Sequence, residues 1–105
     1  MTLAFARPVH PGEYLREEFL VPLKLSAGGL ARRLGVPRAR IERLAAERAP
    51  LSPDTALRLA RFFRTTPQFW MNFQQAYDIE TAGRRLAPEL EAIEPLSERE
   101  RAEAA

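Results

Sequence analysis

The chain has 105 residues, 46% of them hydrophobic, which suffices for one domain with a modest core and leaves no room for a second of similar size. It contains no cysteine, which excludes a disulfide scaffold and a thiolate metal site and suits a reducing compartment. The net charge of +2 hides an uneven distribution: residues 24–64 hold ten basic side chains against three acids, a net of +7, whereas residues 78–105 hold eight acids against four arginines.

A basic centre beside an acidic end points to a polyanion as the centre's partner. Charge alone also fits a solvated helical surface that happens to use arginine. The stretch from Met1 to Arg7 reads as an N-terminal arm and lacks the apolar run of a secretory leader, and no later run approaches the length of a membrane span. A cytoplasmic protein with no membrane contact is the resulting expectation.

Prolines mark where helices begin, because the first helical position does not need the missing N–H. His10-Pro11 opens a helix predicted to run to about Leu20, where Pro22 stops it. Ser26 caps a short second helix to Leu34, and Gly35 ends it in the left-handed conformation. Val36-Pro37 opens a third helix to about Ala46. Ser52-Pro53-Asp54 combines a capping hydroxyl, a first-position proline and a first-turn acid, and starts a fourth helix to Phe63. Thr66-Pro67 starts a fifth, which carries Phe69, Trp70, Phe73 and Tyr77. From about Ala87 the chain is Glu- and Ala-rich and broken by Pro88 and Pro95, giving one or two short helices with frayed final residues. β-branched residues are sparse and never alternate, so the class is all-α.

The segment Leu25 to Ala46, LSAGGLARRLGVPRARIERLAA, carries the functional signal. Two short helices meet at Leu34-Gly35-Val36-Pro37, and a glycine corner between short helices is the helix-turn-helix signature. Leu30, Ala31 and Leu34 form an apolar stripe on the first helix, and Ile41, Leu44 and Ala45 form one on the second. Successive residues turn about 100° around a helix. Ala39, Glu42, Arg43 and Ala46 therefore lie opposite Ile41, flanked by Arg38 and Arg40. A recognition helix presents such a face to the major groove. Arginine there bonds the O6 and N7 acceptors of guanine, and Glu42 accepts from the N4 amine of cytosine. Arg32, Arg33 and Arg48 are assigned to phosphates, which position the protein without reading sequence.

The remaining side chains carry blander readings. Phe62, Phe63, Phe69, Trp70 and Phe73 fall at helical spacing around Pro67 and read as core rather than as a base-stacking platform, with part of the cluster lining a dimer contact. Candidates for that contact are Phe69, Trp70, Phe73 and Tyr77. His10, the single histidine, has no ligand pattern beside it; it is read as a helix cap, and no metal or other cofactor is expected. Glu17-Glu18 and the acids of the tail have no nucleophile, phosphate loop or metal motif beside them, so catalysis is not expected.

One resemblance sharpens this picture. His10-Pro11-Gly12-Glu13, then Leu15-Arg16-Glu17-Glu18-Phe19-Leu20, are similar to the opening of the HigA-type antitoxins, the VapI-like branch of the Xre and lambda-repressor-like helix-turn-helix family. The likeness continues through Leu30-Ala31, Leu34-Gly35-Val36-Pro37 and Ile41. It is strongest from Asp54 to Phe63, and persists through Thr66-Pro67-Gln68-Phe69-Trp70-Met71-Asn72-Phe73-Gln74 to Asp78. It implies a five-helix domain over residues 8–82 with an acidic C-terminal extension over 83–105. It also implies a homodimer on a palindromic double-stranded operator and a cognate HigB-type ribonuclease toxin as partner, and adds Ser26 and Ala27 to the DNA-binding set. The chain departs from the family at Ala27, Glu42-Arg43 and Ala46-Glu47-Arg48-Ala49, where relatives carry glutamine, Asn-Glu and an Asn-Gly loop. A regulator of the same family without a toxin, and a helical interaction module that no longer binds DNA, are the competing readings.

Overall fold

The computed structural model describes residues 7–104; the N-terminal arm, apart from Arg7, and the last residue lie outside them. Within these residues the chain is entirely helical. The elements are α1 (Pro11–Leu15), a π-helical turn (Arg16–Leu20), α2 (Ala27–Leu34), α3 (Arg38–Ala45), α4 (Pro53–Phe63), α5 (Pro67–Arg85), α6 (Ala87–Glu91) and α7 (Glu98–Ala104). The first five helices form the bundle. Helix α2 packs on α3, α4 on α5 and α2, and α1 on both α3 and α5.

The capping chemistry explains the boundaries. Ser26, Ser52 and Thr66 each accept a backbone N–H from three residues onward: Gly29, Thr55 and Phe69. Gly35 adopts φ 72°, and the Val36 N–H reaches the Ala31 carbonyl at 3.0 Å, which closes α2 with a left-handed turn. The first segment differs from its expected form. It begins as an α-helix and then widens, with the Val21 N–H bonding the Arg16 carbonyl five residues back at 3.0 Å. The extra residue in that turn lets Leu15, Phe19 and Leu20 all face inward. The tail also differs, since Glu98–Ala104 is helical rather than frayed, although none of it is buried. Helix α5 runs on to Arg85, through the expected domain boundary at residue 82.

Leu15, Leu30, Ile41, Leu59 and Trp70 form the centre of the core. Trp70 is 0% exposed, and its Nε1 donates to the Thr65 hydroxyl at 2.7 Å. Its complete burial removes it from the dimer-contact candidates, because a partner subunit cannot touch it; Phe69, Phe73 and Tyr77 remain partly exposed. One polar side chain is built into the core to hold a loop. Gln74 accepts from the Leu51 N–H at 2.7 Å and donates to Asp78 at 2.9 Å, which ties the loop after α3 to α5.

His10 caps α1 from a buried position: its Nδ1 accepts the Gly12 N–H at 2.9 Å, and its ring meets Tyr77 edge-on at 4.9 Å. An imidazolium cannot accept that bond. Burial pushes the His10 pKa below 6.5, although Glu47, Asp78 and Glu13 pull it up; Arg16 adds to the lowering. The unfolded chain therefore takes the proton first, so the stability from this cap is complete above pH 6.5 and lost as pH falls through the folded value. Urea unfolding midpoints should drop between pH 7.5 and 5.5, and His10→Asn, which keeps a capping oxygen, should flatten that drop. An unchanged pH dependence in the variant would contradict this role.

Among the described residues no helix is long and apolar enough to cross a membrane.

Candidate nucleic-acid interface

Helix α3, the candidate reading helix, is held from both ends. At its start, Arg40 and Arg58 both donate to Asp54, at 3.0 and 2.8 Å, and Arg58 also donates to the Leu34 carbonyl at 2.8 Å. One carboxylate at the head of α4 thus fixes the end of α2 and the first turn of α3. The hydrogen bond from Arg58, backed by Arg40, holds the Asp54 carboxyl below its ordinary pKa. At its far end, Arg16 donates to the Ala45 carbonyl and to Glu47 at 3.2 Å. Glu47 takes φ 60°, the left-handed position that ends the helix.

Helix α1 approaches α3 at Gly12. A Cβ there would lie 1.7 Å from the Leu44 carbonyl oxygen, so only glycine permits this backbone contact. The aliphatic stem of Arg38 lies across α2 at Gly28, where a Cβ would make ordinary van der Waals contact, 3.4 Å from the Arg38 Cδ. Glu42 then accepts from the Arg38 Nε at 3.2 Å, one turn along α3. Both ends of the pair face solvent. The groove between the start of α2 and α3 is lined by Ser26, Ala27, Gly28, Arg32, Arg38 and Glu42.

This geometry sorts the expected site residues. Ser26, Ala27, Arg32, Arg38 and Glu42 come together in that groove. Ala39 and Arg43 are exposed on the same helix, and Arg48 is exposed in the loop after it. Two arginines part from the group. Arg33 lies over the Phe62 ring at 4.9 Å, on the other side of α2 against α4, and Arg40 is turned toward Asp54. Arg33 is thus not part of this groove, and Arg40 is paired with Asp54 while still partly exposed. Sequence reading overlooked Gly12, Arg16, Glu47 and Asp54 as the residues that orient α3. Only the glycine beside a helix start and the i,i+4 spacing of Asp54 and Arg58 carried any signal, since the other contacts join residues 14 to 31 positions apart.

The antitoxin Xre-like helix-turn-helix domain family matches residues 22–64. Antitoxin HigA-1 of Vibrio cholerae is 36% identical over 90 residues, 86% of this chain and 85% of that protein. The chain belongs to the HigA family of Xre-like helix-turn-helix antitoxins. Virulence-associated protein I of Dichelobacter nodosus is 49% identical over 74 residues, 70% of this chain and 68% of that protein. The solved structure of the Pseudomonas aeruginosa antitoxin HigA with the higBA promoter superposes with a TM-score of 0.84 at 42% identity, covering 87% of this chain and all of that one.

Proposed function

We propose that this chain is an autoregulatory antitoxin: a homodimeric repressor of its own operon that also neutralises a HigB-type ribonuclease toxin, acting in the cytoplasm without cofactor or catalysis. The observation that carries the DNA-binding half is the likeness to a HigA structure that holds its promoter, joined to an α3 whose solvent face is unobstructed. The family supports the toxin-binding half. Ser26 and Ala27 sit at the phosphate edge of the groove with Arg32, and Arg48 reaches the backbone beyond the far end of α3. Arg38, Ala39, Glu42 and Arg43 face the bases. Phe69, Phe73 and Tyr77, with Tyr14 stacked on Phe73 at 4.4 Å, form a half-exposed aromatic surface suited to the partner subunit.

The pairing of Arg38 with Glu42 predicts a specific reading. An arginine already oriented by a carboxylate meets guanine with less ordering cost, and Glu42 rejects any step that offers it no amine donor. In a gel shift with DNA from upstream of its own gene, binding should weaken steeply with salt through counterion release. Glu42→Gln should narrow the gap between operator and random DNA by about 1–3 kcal/mol. Equal affinity for operator and random DNA in the natural protein would overturn the repressor reading.

A further inference from the structure

The positive charge of the chain is divided between two faces, and operator reading uses one of them. On the other, α2 and α4 flank a cleft of about 430 Å³ lined by Arg33, Asp54, Leu57, Arg58, Arg61 and Phe62. Arg64 extends this surface beyond Leu57 and Arg61. Leu57 is 58% exposed although it lies on a helix whose other face is core. Arg33, Arg61 and Arg64 have no acidic partner among the described residues. This is a cationic cleft with an apolar floor.

The chain carries a segment of the complementary kind. Beyond α5, Leu86, Leu90, Ile93 and Leu96 are all exposed, and Glu89, Glu91, Glu94 and Glu98 are interleaved with them. Leu90 lies on α6, with Leu86 just before that helix and Ile93 just after it, four and three residues away. Nothing in α6 or α7 is buried. The radius of gyration, 18.4 Å, exceeds the roughly 13 Å of a compact domain of this length, and the longest dimension is 58 Å, so the segment stands away from the bundle as an arm.

We infer that the arm of one copy docks in the α2–α4 cleft of a second copy, with Leu90 and Ile93 on Leu57 and the arm glutamates facing Arg33, Arg61 and Arg64. The geometry favours a second copy over the same chain. Pro67 at the start of α5 borders the cationic surface, and α5 then carries the chain about 27 Å along its axis before the arm begins at Leu86. The arm therefore begins a full helix length from the cationic surface of its own chain, which favours the cleft of a second copy. Such an exchange closes reciprocally if the two copies are related by a two-fold axis.

The absence of native cysteine makes the contact directly readable. A full-length Leu57→Cys chain and a full-length Leu90→Cys chain of different tag length are mixed without DNA and oxidised mildly. Docking raises the effective concentration of the two thiols, so the mixed disulfide should form at least about fivefold faster than between Leu57→Cys and Leu23→Cys chains. Adding Arg61→Glu to the first chain should bring the rate to the control level, and Glu91→Arg on the second should restore it. Cross-linking no faster than the control overturns the inference. So does a disulfide that forms only within a doubly substituted Leu57→Cys/Leu90→Cys chain, and so does protection of Leu57→Cys from alkylation only when the cognate toxin is added, which assigns the cleft to the toxin. The assay contains no operator, so its failure leaves the DNA-binding reading untouched.

Discussion

Gly12→Ala should unfold the protein or cost about 3 kcal/mol or more, beyond the usual range for an added methyl group in a packed core. The reason is the identity of the obstructing atoms. A Cβ at Gly12 would lie 1.7 Å from the carbonyl oxygen of Leu44 and 2.7 Å from its carbonyl carbon, both in the backbone of α3. A side chain can rotate out of the way, but a helical carbonyl moves only with its helix. The substitution therefore separates α1 from α3 and displaces the helix that carries Arg38, Glu42 and Arg43. Gly83 is the matched control: a Cβ there meets nothing within 4 Å, and the residue lies inside α5. Gly83→Ala should stabilise by about 0.5–1 kcal/mol through the lower backbone entropy of alanine when unfolded. Urea unfolding of both variants checks the pair, and a loss under about 1 kcal/mol for Gly12→Ala would contradict the close contact.

Trp70→Ala should cost about 3–5 kcal/mol, the range for truncating a large buried aromatic side chain. Trp70 is fully buried, and its ring centroid lies 5.5 Å from those of Phe19 and Phe69 and 6.0 Å from that of Tyr14. It joins the first helical segment to α5, so the cavity left by alanine opens beneath both. Its Nε1 bond to Thr65 also fixes the turn between α4 and α5. Trp70→Phe, which keeps most of the ring but loses that bond, should cost clearly less. A domain of this size has about 5–15 kcal/mol of stability in total, so the alanine variant should be partly unfolded near physiological temperature by circular dichroism. Equal losses for the two variants would mean that ring volume is not what Trp70 contributes.

The sequence made some of this visible for a physical reason. Caps and corners are local: Ser26, Ser52, Thr66 and Gly35 act on backbone groups within five residues, so their meaning can be read from the neighbours alone. The starts of α2, α4 and α5 follow directly from them. The orientation of the reading helix was not legible in the same way. It depends on Arg16 reaching the end of α3, on Arg40 reaching Asp54 and on Arg58 reaching the Leu34 carbonyl, contacts set by the tertiary arrangement. Helical periodicity placed Arg40 beside the reading face, and a competing carboxylate on α4 drew it away. Arg33 was likewise grouped with Arg32 by adjacency, yet one turn of a helix puts consecutive side chains about 100° apart, and Arg33 lies against Phe62. Of the two glycines in the first turn of α2, Gly29 is the tighter position, since a Cβ there would come within 3.0 Å of the Ser26 capping oxygen.

The division of arginines between two faces is the claim on which the account of this HigA-family chain turns, and a titration of operator DNA with single alanine variants tests it most directly. Arg43→Ala should weaken operator binding by about 1–3 kcal/mol, as expected for a lost base contact, while Arg33→Ala, on the far side of α2, should leave it within about 0.5 kcal/mol of the natural protein when both are titrated at concentrations that keep the protein dimeric. The reverse order, with Arg33 essential and Arg43 dispensable, would contradict the assignment of the α2–α3 groove as the surface that reads DNA.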